Sequence, residues 1–206
     1  RPPGSTLFPY TTLFRSYRVI RELGRGATAT VLLAEAPGRV EPVAIKLVRF
    51  GGGVDEAQWT RRLKKLFATE GAMARKLDHP NIIRIYDTVL EEDRAYIVME
   101  YVTGRELSNY CSFDTLLPLH RVVGIVFKCC LALDYAFKQG VIHRDIKPAN
   151  ILVDDEEIGK IMDFGLALNT AKKSETDSTF IMGVGSPAYM SPEQIKGYPL
   201  NQKTDL

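Results

Sequence analysis

The densest run of chemistry-bearing residues is His143-Arg144-Asp145-Ile146-Lys147-Pro148-Ala149-Asn150, set between two apolar stretches. Pro148 disfavours helix at the residue before it, so the run reads as a loop. Asp145 can take or orient a hydroxyl proton. Asn150 can offer a carbonyl oxygen to a hard cation, and Asp163, heading Asp163-Phe164-Gly165, can add a carboxylate to the same ion. Lys46 ends the strand-like run Val43-Ala44-Ile45-Lys46, where an unpaired ammonium would be costly to bury. Phosphate oxygens, or a carboxylate such as Glu70 downstream, would supply its counter-charge. Gly24-Arg25-Gly26 joins two β-rich runs, and glycines there let exposed backbone amides approach a phosphate. Blander accounts stay open: a solvated polar loop, a lysine snorkelling from a strand edge, and a tight hairpin with no ligand.

The elements that would hold these residues follow from periodicity. Residues 17–23, 28–34 and 43–50 read as strands, with Pro37-Gly38 marking a turn. Residues 55–77 have helical spacing, with Trp59, Leu63, Leu66, Phe67, Met73, Ala74 and Leu77 on one stripe. His79-Pro80-Asn81 ends that helix. Residues 82–89 and 95–101 read as two more strands. From Pro118 the pattern turns helical, with a wide stripe of Leu119, Val122, Val123, Val126, Cys129, Cys130 and Leu133 that predicts a buried helix closed by Gly140. Short strands are expected at 151–153 and 160–162, and 169–179 has loop composition. Five strands with one inserted helix, then mainly helical structure, make an α+β plan in two lobes, divided near residue 100.

Composition sets the outer bounds. The chain has 206 residues, 45% of them hydrophobic and 25% charged, as in a soluble globular domain. Its formal net charge of +2 offers no basic surplus for nucleic acid or an anionic membrane. Cys111, Cys129 and Cys130 form no metal-type spacing, which fits packing or surface thiols in a reducing, cytoplasmic compartment. The longest apolar run, Val122 to Phe127, is far too short to span a bilayer, and no signal peptide is visible. Residues 1–16 lack period and cap, and residues 6–16, TLFPYTTLFRS, resemble the direct translation of a common short-read sequencing adapter. The expectation is therefore a non-native segment at 1–16 ahead of a domain at 17–206.

The ordered set GRGATATV, VAIK, a helix glutamate, HRDIKPAN, DFG and SPE resembles the eukaryotic-type protein kinases, over essentially the whole of residues 17–206. That resemblance implies a kinase-like fold of two lobes: a five-stranded antiparallel N-lobe sheet with one helix, and a mainly helical C-lobe. It implies ATP and Mg2+ as cofactors and protein serine or threonine hydroxyls as acceptors. Gly24 and Gly26 would lie over the ATP phosphates, with Val31 and Ala44 enclosing the adenine. Lys46 would contact the α and β phosphates and pair with Glu70. Glu100 to Val102 would be the hinge that hydrogen-bonds adenine, with Met99 as gatekeeper. Asp145 would be the catalytic base, Lys147 would neutralise charge on the moving phosphoryl group, and Asn150 and Asp163 would hold the magnesium ions.

Lys147, two residues after Asp145, and Gly185-Ser186-Pro187 ahead of Tyr189 resemble the Ser/Thr-specific pattern. Arg144 beside Asp145 resembles the members regulated by activation-loop phosphorylation, for which Ser174, Thr176, Ser178 and Thr179 are candidate acceptors. KPAN and PAYMSPEQ are most similar to bacterial members. Ala29 and Ser191 are mild departures from the family pattern. The larger one is the end at Thr204-Asp205-Leu206. Asp205 resembles the aspartate that braces the catalytic loop, and the helices after it are absent. The expectation is a partial C-lobe, an isolated chain without activity, and any membrane anchor further along the full-length protein. A pseudokinase scaffold and a small-molecule phosphotransferase are the competing classes. The first is opposed by the presence of Lys46, Glu70, Asp145, Asn150 and Asp163, the second by the KPAN and PAYMSPE segments.

Overall fold

The computed structural model describes residues 16–26, 29–49, 67, 71–154, 156, 158–164, 168–169 and 186–206. Five strands build the first layer: β1 (Arg18–Arg25), β2 (Ala29–Glu35), β3 (Val43–Arg49), β4 (Ile85–Leu90) and β5 (Arg94–Glu100). They lie in the order β1-β2-β3-β5-β4, and every pairing is antiparallel. The alternation of strand side chains gives this sheet two different faces. Leu32, Ala34, Val43, Ile45, Leu47, Val89, Tyr96 and Val98 pack into one apolar cluster. The other face carries the cross-strand rows Val31–Lys46–Ile97 and Leu33–Ala44–Met99.

A second cluster forms around α1 (Leu119–Lys138), with β7 (Val141–Ile142), β8 (Ile151–Asp154), β9 (Gly159–Ile161), Phe164, and Ala74 and Leu77 from the helical turn at 71–77. Helix α1 ends where Gly140 adopts φ +78°, a conformation open to glycine, and donates its N–H to the Phe137 carbonyl at 2.8 Å. Gly159 permits β9 to lie against α1, since a Cβ there would sit 2.7 Å from Ile125 Cγ2. Short β6 (Gly104–Glu106) pairs with β8, and β10 (Leu168–Asn169) pairs with β7. Helix α2 (Pro192–Lys196) opens on a capping box between Ser191 and Gln194 and closes at Gly197 with φ +68°. Among the described residues, no helix is long and apolar enough to cross a membrane.

Several sequence expectations change in detail. Strand β4 starts at Ile85 rather than Ile82, because Ile82 leaves the sheet and forms a parallel bridge to Ile161. The stripe expected to bury α1 is only partly buried. Ile125, Cys129, Ala132, Leu133 and Ala136 face the core, whereas Leu119 is 78% exposed and Val123 58%. The helix carries apolar residues on most of its circumference, and β9 and β7 cover only one side of it. Burial pushes the Cys129 thiol up to about 11, which makes it a packing group. Most of the helix expected at 55–77 lies outside the described residues, as does the loop expected at 169–179 apart from Asn169, which falls in β10.

Candidate active site

The loop from His143 to Asn150 closes around Asp145. Asn150 donates through Nδ2 to the Asp145 carbonyl oxygen at 2.8 Å and to Asp145 Oδ2 at 3.0 Å. Lys147 Nζ lies 2.8 Å from the same Oδ2 and donates to Ser186 Oγ at 2.6 Å. The Ser186 backbone N–H in turn donates to Asp145 Oδ1 at 3.1 Å. Both carboxylate oxygens are therefore held in place, Oδ2 by Asn150 and Lys147 and Oδ1 by Ser186. In the sequence Ser186 stands out only as part of a specificity pattern. Its role as a bridge depends on a contact with residues about forty positions away, which no local signal contains.

A backbone constraint holds this loop in place. Arg144 has φ +69°, in the left-handed region that a non-glycine residue enters only at a cost. Asp205 offsets it by accepting the His143 N–H at Oδ2 and the Arg144 N–H at Oδ1, each at 2.7 Å. Gln194 Nε2 donates to the Arg144 carbonyl at 2.7 Å, a brace the sequence did not reveal. Hydrogen bonds to a charged acceptor contribute about 1.5–3 kcal/mol each. Asp205→Asn in the full-length protein keeps one acceptor oxygen and should cost about one such bond, read as a lower urea midpoint at unchanged slope. An unchanged midpoint would remove Asp205 as the brace.

His143 is not a proton-transfer group despite its place in the cluster. It is fully buried, and burial holds its imidazole below the ordinary histidine range, hence neutral. Its Nδ1 accepts the Asp145 N–H at 3.2 Å, which leaves Nε2–H to donate to the Met162 carbonyl at 2.9 Å. The ring also meets Phe164 edge-on at 4.6 Å. His143 thus ties the Asp145 loop to the segment that carries Asp163.

The sheet supplies the opposing wall. Lys46, in the row with Val31, reaches across to Asp163 with Nζ 2.5 Å from Oδ1. Asp163 also has a left-handed backbone, φ +63°, which aims its carboxylate at the cleft rather than along the strand direction of β9. The Asn150 carbonyl accepts the Met162 N–H at 2.9 Å, so the Asn150 loop and the Asp163 segment are in direct contact. Gly24, one residue before the end of β1, lies opposite Val31, and the Gly26 N–H donates to the Ala29 carbonyl at 2.8 Å. Ala44 lies in the row with Met99, and Glu100 and Val102 continue from β5 into the other lobe. The structure therefore brings together Lys46, Asp145, Lys147, Asn150 and Asp163. Glu70, Gly165, Ser174, Thr176, Ser178 and Thr179 lie outside the described residues.

The donor set fits a magnesium ion. With Nδ2 directed to Asp145, the Asn150 amide keeps its oxygen as an acceptor, and Asp163 adds carboxylate oxygen. Among the described residues, no three His, Cys, Asp or Glu side chains converge as a cage. Two hard oxygen donors, completed by water and phosphate, are how proteins commonly hold this ion.

A sheet lobe lies against a second core, and the loop holding left-handed Arg144 and Asp145 faces Lys46 and Asp163 between them. Family comparison defines this arrangement: the protein kinase domain model matches residues 17–206, and the chain belongs to that family. It is 39% identical over 190 residues to the serine/threonine-protein kinase PrkC of Bacillus subtilis, covering 92% of this chain and 28% of that protein. It is 35% identical over 188 residues to the serine/threonine-protein kinase PknB of Mycobacterium leprae, covering 89% of this chain and 29% of that protein. The chain thus spans less than a third of the length of these bacterial relatives.

Proposed function

We propose that the protein transfers the γ-phosphate of ATP to serine and threonine hydroxyls of other proteins. The observation that carries this reading is the Asp145 carboxylate, fixed by Asn150, Lys147 and Ser186 and facing a lysine–aspartate pair across the cleft. Phosphoryl transfer needs alignment and charge neutralisation more than covalent catalysis. Asp145 orients the acceptor hydroxyl and takes its proton. Lys147 balances charge on the transferred group, and its bond to Ser186 ties that charge to the segment where the acceptor peptide lies. Lys46 holds the α and β phosphates and pairs with Glu70. Gly24 and Gly26 approach the phosphates, and Val31, Ala44 and Met99 enclose the base against the backbone of Glu100 to Val102. Asn150 and Asp163 would hold Mg2+, which would supply neutralisation of charge on the phosphate oxygens.

Arg144 next to Asp145 supports regulation by phosphorylation at Ser174, Thr176, Ser178 or Thr179. Free cysteines fit a domain working in the cytoplasm, and the bacterial relatives, of which the chain spans less than a third, leave room for a membrane anchor outside this domain. The test is a radiolabel assay on the full-length protein with ATP labelled at the γ position. Mg2+-dependent label on serine and threonine of the kinase or of a basic test protein is expected. Absence of transfer with intact ATP binding would instead favour a pseudokinase.

A further inference from the structure

We propose that the side chains of Glu100 and Lys160 form a clasp between the lobes that positions the backbone of Glu100 to Val102 for the nucleotide. The proposal rests on the reading of that backbone as the adenine contact. Glu100 is the last residue of β5, and its Oε1 accepts from Lys160 Nζ on β9. Its Oε2 accepts the Arg84 N–H at 3.2 Å, and its own N–H donates to the Arg84 carbonyl at 2.8 Å. The Lys160 and Glu100 side chains are only 18% and 25% exposed.

The segment before Arg84 is itself strapped to β9. Asn81 Nδ2 donates to the Gly159 carbonyl at 2.8 Å, and the Asn81 carbonyl accepts the Ile161 N–H at 2.8 Å. The Ile83 N–H then donates to the Ile161 carbonyl at 2.9 Å. One carboxylate therefore closes three pieces of chain: the end of the sheet lobe, the strap at 81–84, and the strand that leads into Asp163. Register shows that it acts from behind the site. Glu100 pairs with Val43, whose side chain lies in the sheet's apolar cluster, whereas Met99 pairs with Ala44 on the opposite face. The Glu100 carboxylate is thus turned away from the face that carries Lys46. It is a positioning group, and so is Lys160. A mostly buried pair of this kind is felt sharply when one partner goes, because the other is left uncompensated.

The test is steady-state kinetics and binding of a non-hydrolysable ATP analogue to the full-length protein. Lys160→Met should raise the ATP KM and the analogue Kd about tenfold while kcat stays within about twofold. Lys160→Arg, which restores the charge and its donors, should hold KM within about twofold of wild type. Glu100→Gln should weaken ATP to the same degree, and the double variant should be no worse than either single, since both remove one interaction. Lys160→Gln serves in place of the methionine variant if that protein does not fold. An unchanged KM with a lowered unfolding midpoint would reduce the pair to a structural contact, and multiplicative effects would separate the two residues. Val102→Pro removes a hinge N–H independently of the clasp. If it leaves analogue affinity untouched, the adenine reading is wrong, and the proposed purpose of the clasp goes with it.

Discussion

Asp145→Asn should cut the single-turnover rate of phosphoryl transfer by about 10²–10⁴-fold, the range for loss of a positioned proton acceptor. Asparagine preserves the shape of the side chain, and one oxygen remains to accept the Ser186 N–H that now reaches Oδ1 at 3.1 Å. What disappears is the negative charge beside Lys147, 2.8 Å away, the Asn150 Nδ2 bond to Oδ2 at 3.0 Å, and the capacity to take a proton from the acceptor hydroxyl, while the Asn150 bond to the Asp145 carbonyl remains. The backbone brace from Asp205 and the His143 bond to Met162 do not pass through the Asp145 side chain. ATP analogue affinity should therefore move by less than about threefold, with the loss confined to the chemical step. Retention of a third or more of the wild-type rate would remove Asp145 from the role of base.

The sequence made this loop visible because its residues are chemically dense and sit between two apolar strands. Val141, Ile142, Ile151 and Val153 are buried, and they anchor the eight residues between the two strands at the face opposite Lys46. The same logic made the five strands legible: alternation survives wherever one sheet face is an apolar cluster. It failed at Ile82–Arg84, where a β-like sequence is drawn off by β9 in the other lobe. It also failed at β6, whose residues Gly104, Arg105 and Glu106 are all exposed and carry no pattern. The burial of α1 departs from its sequence pattern for the opposite reason. A helix apolar on several sides gives one period but no choice of face, and packing alone selects Ile125, Cys129 and Ala132. Ser186, Gln194 and the Glu100–Lys160 pair were hidden because each acts on a residue far away in sequence. Asp205 was legible only through family resemblance, since nothing around Thr204-Asp205-Leu206 marks a loop brace.

Asp163→Ala should lower activity by about 10³-fold or more, since a bound metal ion contributes several kcal/mol of charge stabilisation to phosphoryl transfer. Two consequences arise from one carboxylate. The first is electrostatic and precedes any substrate: Lys46 Nζ, 2.5 Å from Asp163 Oδ1 and only a quarter exposed, loses this partner. The second is loss of an oxygen donor beside Asn150, which weakens the hold on Mg2+ and should raise the concentration needed for half-maximal activity. The two can be separated by comparison with Lys46→Met, which removes the lysine and leaves both oxygen donors in place. That variant should lose ATP affinity and rate while its residual activity keeps the wild-type Mg2+ midpoint. Asp163→Ala should instead shift that midpoint upward, and raising Mg2+ should recover part of the lost rate. If both variants give the same Mg2+ midpoint, then Asp163 serves mainly as the counter-charge for Lys46, and the metal must be held by other oxygen donors in the cleft.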